Sequence, residues 1–125
     1  IGTGSLVKAA MQLREMGPKY VVIKKGEHGA VMFCNGICFA APSYPLEEVV
    51  DPTGAGDSFA GGFMGYLAGT GDVSESSIRK AVICGSTMAS YNVEGFSLER
   101  LKTLTGREVS ERYKAFREMV RFEEM

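Results

Sequence analysis

The feature that most constrains this chain is the run Asp51-Pro52-Thr53-Gly54-Ala55-Gly56-Asp57-Ser58-Phe59-Ala60-Gly61-Gly62. A brief strand, Glu48 to Asp51, feeds a glycine-rich turn, and a helical pattern crowded with small residues runs from Asp57 to about Leu67. Gly54, Ala55 and Gly56 carry almost no side chain, so their N–H groups can approach an anion closely. The helix that follows adds its own unpaired N–H groups and the positive end of its dipole. The segment therefore reads as an anion site at a strand-to-helix turn.

Two familiar phosphate loops fail the test. A Walker A loop needs Gly-Lys-Ser/Thr after four intervening residues, and no lysine lies between Asp51 and Gly71. A dinucleotide fingerprint needs glycine or alanine three residues after Gly56, where the chain has Phe59. A carboxylate directly after Gly56 would also repel a pyrophosphate. What remains is a glycine turn with Asp57 beside the place a phosphoryl group would occupy. Phosphoryl transfer needs both parts: donors for the charge on the phosphoryl oxygens, and a carboxylate to orient the attacking hydroxyl and take its proton.

The rest of the chain builds an α/β frame around that turn. Ser5 caps a helix with Leu6, Ala9, Ala10 and Leu13 on one face, stopped by Gly17-Pro18. Tyr20 to Ile23 is a short buried strand, Gly26 to Gly29 a turn, and Ala30 to Cys34 the next strand. Asn35-Gly36 between apolar runs signals a hairpin, with Ile37 to Ala40 returning and Pro42 and Pro45 marking a loop. Ser74 or Ser76 caps a long helix to about Tyr91, and Gly95 breaks it. Ser97 starts a short helix to Leu104, and a last helix runs from about Glu108 to Phe122 with Val109, Tyr113, Phe116 and Val120 on one face. Mixed strands and helices imply an α/β fold with a mostly parallel sheet.

Composition narrows the partners. Fourteen basic and fifteen acidic residues in 125 give a net charge of −1 without a basic block, so neither nucleic acid nor an anionic membrane is the expected partner. The odd cysteine count of three suits a reducing, cytoplasmic setting. No apolar run is long enough to span a bilayer. Opening on Ile1 and helical by Ser5, the sequence is expected to be a piece of a longer protein.

The same residues carry a resemblance. The Asp51 to Gly62 run closely resembles the C-terminal signature of the PfkB/ribokinase family of carbohydrate and nucleoside kinases. Lys24-Lys25-Gly26-Glu27-His28-Gly29 is similar to the family's nucleotide-contacting Gly-x-x-Gly turn, and Asn92 to Ser97 to its loop over nucleotide and cation. The resemblance implies a ribokinase-like three-layer sandwich, of which residues 1–125 are the C-terminal nucleotide-binding and catalytic half.

On that basis Asp57 matches the catalytic base and Gly54, Ala55 and Gly56 the anion hole. Lys24, Gly26, Glu27, Gly29 and Gly56 match nucleotide contacts, and Asp51 and Thr53 a monovalent-cation site. The helix around Cys84-Gly85 matches one bordering the adenine. ATP with Mg²⁺ is the implied donor, with K⁺ as an activator in many members. The implied reaction is transfer of the γ-phosphoryl to a sugar hydroxyl; a nucleoside kinase shares every motif, and a non-catalytic nucleotide-binding module is the rival of another class. The family's sugar-selecting residues and lid lie upstream of Ile1, so this piece alone is expected to be inactive. The sheet edge left by absent strands would be an aggregation or homodimer surface.

Other features have plainer accounts. His28 is explained by its turn. Cys34, Cys38 and His28 lack the ligand number of a zinc site and read as strand and turn residues. The glycine stripe Gly61, Gly62, Gly65 and Gly69 reads as close packing against the sheet rather than a membrane dimer face. Met11, Met16, Met64 and Met88 read as core filler, and Glu111-Arg112, Arg117-Glu118 and Arg121-Glu123-Glu124 as the solvated face of the last helix.

Overall fold

The computed structural model describes residues 20–24, 29–34, 37–46, 54–95 and 99–125. Its elements are β1 (Val21–Lys24), β2 (Ala30–Cys34), β3 (Ile37–Ala41), α1 (Ala55–Thr70), α2 (Glu75–Asn92), α3 (Glu99–Lys102) and α4 (Gly106–Val120). The helix expected from Ser5, the strand at Glu48 to Asp51, and the residues Asn35, Gly36 and Ser97 lie outside the described residues.

The strands form one three-stranded sheet in the order β1-β2-β3. Both pairings are antiparallel, with Val22 opposite Met32 and Met32 opposite Phe39. The described strands thus differ from the mostly parallel sheet expected. Parallel pairing needs a long crossover between neighbours, whereas only a few residues separate each of these strands from the next. Along β2, Ala30, Met32 and Cys34 share one face by the two-residue period of a strand, and all three are buried. Val31, on the opposite face, is buried as well, as suits a central strand.

Helices cover the first of those faces. The core joins Ala30, Met32, Cys34 and Ala41 of the sheet to Phe59 of α1, Ile78, Val82 and Ile83 of α2, and Phe116 of α4. On α4, Phe116 is fully buried and Val109 and Tyr113 are half-buried, while Val120 is exposed. Helix ends follow their local chemistry. Gly54 and Gly71 bracket α1 in left-handed conformations, and the Gly71 N–H donates to the Leu67 carbonyl at 2.9 Å. Ser74, not Ser76, caps α2 by accepting from the Ser77 N–H. Thr105 and Glu108 form a reciprocal capping box that starts α4 earlier than Glu108.

Two glycines set how closely α1 and α2 cross. A methyl on Gly62 would fall 2.7 Å from the Cys84 carbonyl oxygen, and one on Gly85 would fall 2.8 Å from that of Phe59. Gly62 therefore packs on α2, not on the sheet, and Gly61, Gly65 and Gly69 have no described atom near enough to meet an added methyl. Met64 is also exposed rather than core filler, because α1 turns only Phe59 fully inward. Among the described residues, no helix is long and apolar enough to cross a membrane.

Candidate active site

The site begins at Gly54. Its φ of 86° is left-handed, which side-chain-bearing residues adopt only at a cost, so glycine suits the start of α1 here. A glycine cap offers no side-chain acceptor. In α3's neighbours the contrast is plain: Ser74 and Thr105 satisfy first-turn N–H groups of α2 and α4, whereas none of Gly54, Ala55 or Gly56 can do so for α1. The first intrahelical bond runs from the Ser58 N–H to the Gly54 carbonyl at 2.9 Å, and the N–H groups before it have no partner within the helix by geometry.

Ser58 and Asn92 tie this turn to the far end of α2. The Ser58 hydroxyl donates to Asn92 Oδ1 at 3.0 Å, and Asn92 is buried beside Gly54. Lys24, at the end of β1, reaches the same turn. Its Nζ lies 3.5 Å from the Gly56 carbonyl oxygen and 5.7 Å from the centre of the Phe59 ring. The Lys24 ammonium thus stands next to helix-start N–H groups that have no partner within the helix, a combination that attracts an anion.

These residues open onto a cavity of about 440 Å³. Lys24, Gly29, Ala55 and Gly56 line it, together with Pro42 to Tyr44 and Leu46 from the segment after β3 and Ser86, Ala89, Ser90 and Val93 of α2. The structure therefore brings Lys24, Gly29, Ala55 and Gly56 to one cleft. Asp57 follows in the first turn of α1; it is exposed and outside that lining. Gly26, Glu27, Asp51 and Thr53 lie outside the described residues. Cys84 and Gly85 do not line the cleft; their neighbour Ser86 does. Burial pushes the Cys84 thiol up, away from thiolate chemistry. Among the described residues, no three His, Cys, Asp or Glu side chains gather as a metal site, and Cys34 and Cys38 are free thiols.

A charged network backs one wall of the cleft, and no local sequence pattern signals it. Arg112 is largely buried: it pairs with Glu94 at 2.7 Å and donates to Ser90 Oγ at 3.1 Å. Arg100 pairs with both Glu94 and Glu108 and lies over Tyr91. Tyr91 is buried, which raises its phenol above the ordinary value, and its hydroxyl donates to the Glu108 carbonyl at 2.7 Å. The expectation that Arg112 solvates the outer face of α4 is corrected here. Its partners on α2 and in the segment after β3 are distant in sequence, so local charge spacing could not reveal them.

Comparison with known proteins adds the family. The model of pfkB family carbohydrate kinases matches residues 3–100. A cytidine kinase of Thermococcus kodakarensis is 45% identical over 71 residues, 54% of this chain and 25% of that protein. The chain spans about a quarter of the length of the curated relatives it matches. Among solved structures, the aminoimidazole riboside kinase of Salmonella enterica, with aminoimidazole riboside and an ATP analogue, superposes with a TM-score of 0.75 at 24% identity. That superposition covers 89% of this chain and 37% of the other. Ribokinase of Thermotoga maritima gives 0.68 at 25% identity, covering 88% and 35%. The fold is thus the α/β fold of ribokinase-like kinases, and with most of its length inside the family match this chain belongs to the pfkB family of carbohydrate kinases.

Proposed function

We propose that the protein containing this chain is an ATP-dependent phosphotransferase that moves the γ-phosphoryl group to a hydroxyl of a sugar. The observation that carries the reading is the start of α1: a left-handed Gly54, first-turn N–H groups without a side-chain cap, Lys24 alongside, and Asp57 next in the chain. In this reading the donor occupies the cleft. Its phosphates meet the N–H groups of Gly54 to Gly56 and the Lys24 ammonium, and Gly29, with Gly26 and Glu27, borders the nucleotide. The acceptor approaches on the exposed side of α1. Asp57 orients its hydroxyl and takes the proton as the oxygen attacks the γ-phosphorus and ADP leaves. The N–H groups at the helix start stabilise the charge on the moving phosphoryl oxygens.

Magnesium would ride on the donor's phosphates, with no cluster of three acidic, histidine or cysteine side chains among the described residues to hold it. There it would neutralise phosphate charge. Asp51 and Thr53 are the proposed K⁺ contacts. Residues 1–125 would form the donor-binding, C-terminal part of a three-layer sandwich whose parallel strands pair outside the described sheet. The identity with a cytidine kinase favours a second reading, in which the sugar hydroxyl belongs to a nucleoside.

The test is coupled ADP release by the intact protein across pentoses, hexoses and nucleosides, with and without K⁺. Turnover with one class settles the acceptor. Asp57→Ala should lower kcat by at least about 10²-fold while ATP affinity holds or rises. No ADP from any acceptor, with ATP still bound, would leave a nucleotide-binding module instead.

A further inference from the structure

Tyr44 and Ser90 line the cleft, and both are held from behind by one side chain, Arg112. The guanidinium carbon lies 3.7 Å from the centre of the Tyr91 ring and 4.2 Å from that of Tyr44. Both distances are those of a cation stacked on an aromatic face. The same group donates to Ser90 Oγ and pairs with Glu94, and its side chain is only 13% exposed. Arg112 itself does not line the cleft.

Tyr44 needs such a hold. It sits between Pro42 and Pro45 in a segment of irregular backbone, where no strand ladder fixes its position. Its ring is gripped by two residues of α4: Phe116, with ring centres 5.5 Å apart, and Arg112. Lysine could not replace the arginine, because a compact ammonium cannot stack on a ring and donate in a fixed plane at once. Helix α4 lies beyond residue 100, where the family match ends.

We propose that Arg112 is a positioning residue for the nucleotide base: stacked between Tyr91 and Tyr44 and bonded to Ser90, it fixes the wall against which the base lies. The proposal rests on the reading of the cleft as the donor site. Arg112 then sets affinity for the base without touching it, and has no effect on the phosphate cradle at the start of α1.

Calorimetric titration of the intact protein with ATP and with inorganic tripolyphosphate, beside steady-state kinetics, tests this. Arg112→Lys should weaken ATP binding and raise the KM for ATP by about tenfold. Its kcat at saturating ATP and its affinity for tripolyphosphate should stay within about twofold of the parent. Tyr44→Leu should reproduce the loss, Tyr44→Phe should not, and Arg112→Lys should add little to Tyr44→Leu. The Tyr44 pair keeps the test open where Arg112→Lys fails to fold. Unchanged ATP affinity in Arg112→Lys or Tyr44→Leu, or equal losses for ATP and tripolyphosphate, would overturn the positioning role. A parent protein that binds neither probe would instead overturn the donor-site reading beneath it.

Discussion

Gly29 combines two constraints that only glycine meets. Its φ is 92°, and a methyl group there would fall 2.1 Å from the Ala41 carbonyl oxygen and 3.0 Å from the Pro42 backbone. Neither neighbour is a side chain that could swing away, so β2 and the segment after β3 would have to separate. Gly29→Ala is expected to destabilise the fold by about 2–4 kcal/mol, read as a shift of the urea midpoint. Gly106→Ala is the matched control: that glycine has open space around it, and the change should be neutral or stabilising by up to about 1 kcal/mol. The sequence marks Gly29 as the closing glycine of the Gly26 to Gly29 segment, but the clash with Ala41 depends on the β2–β3 register. Arg112 shows the opposite limit. Neighbouring Glu111 and Arg112 look alike as a charged pair, yet Glu111 is exposed and pairs with Arg107 while Arg112 is drawn inward by Tyr91 and Tyr44.

Elements were legible where one local device decides them. The apolar run Ala30 to Cys34 is β2 residue for residue, and Ser74 caps α2 as one of its two candidate caps. Apolar periodicity alone placed α4 near Glu108, because Thr105, Gly106 and Arg107 contribute nothing to the apolar face. The signal that finds the true start is Thr105 followed three residues later by Glu108. Thr105 Oγ1 accepts from the Glu108 N–H, and the Thr105 N–H donates to Glu108 Oε1, both at 3.2 Å. Thr105→Ala removes the first bond and should cost about 1 kcal/mol, measured by urea unfolding, with Thr105→Ser restoring most of it. For α1 the sequence located the helix but not its packing. A stripe of four glycines gives several equivalent close-approach faces, and only the crossing with α2 selects Gly62.

At the scale of the molecule, helices α2, α3 and α4 are joined by charge. Arg100 of α3 bridges Glu94, just beyond α2, and Glu108 of α4, while Arg112 of α4 returns to Glu94. The hydrogen bond from Arg100 is the main reason that the Glu108 carboxyl is held below the ordinary glutamate range, and the Thr105 N–H assists. The consequence for stability has a definite sign. A carboxyl with a lowered value in the folded state binds fewer protons there than in the unfolded chain, so stability rises with pH across the interval between the two values. Glu108 therefore contributes fully above its unfolded value of about 4.3, and the contribution fades as pH falls through the lower folded value. Urea midpoints of the parent and of Glu108→Gln should differ at pH 7 and converge on acidification from about pH 5 downward. Because glutamine keeps the shape and an acceptor while losing the charge that Arg100 binds, a difference that stays constant to pH 3 would mean that the ion pair with Arg100 is not its source.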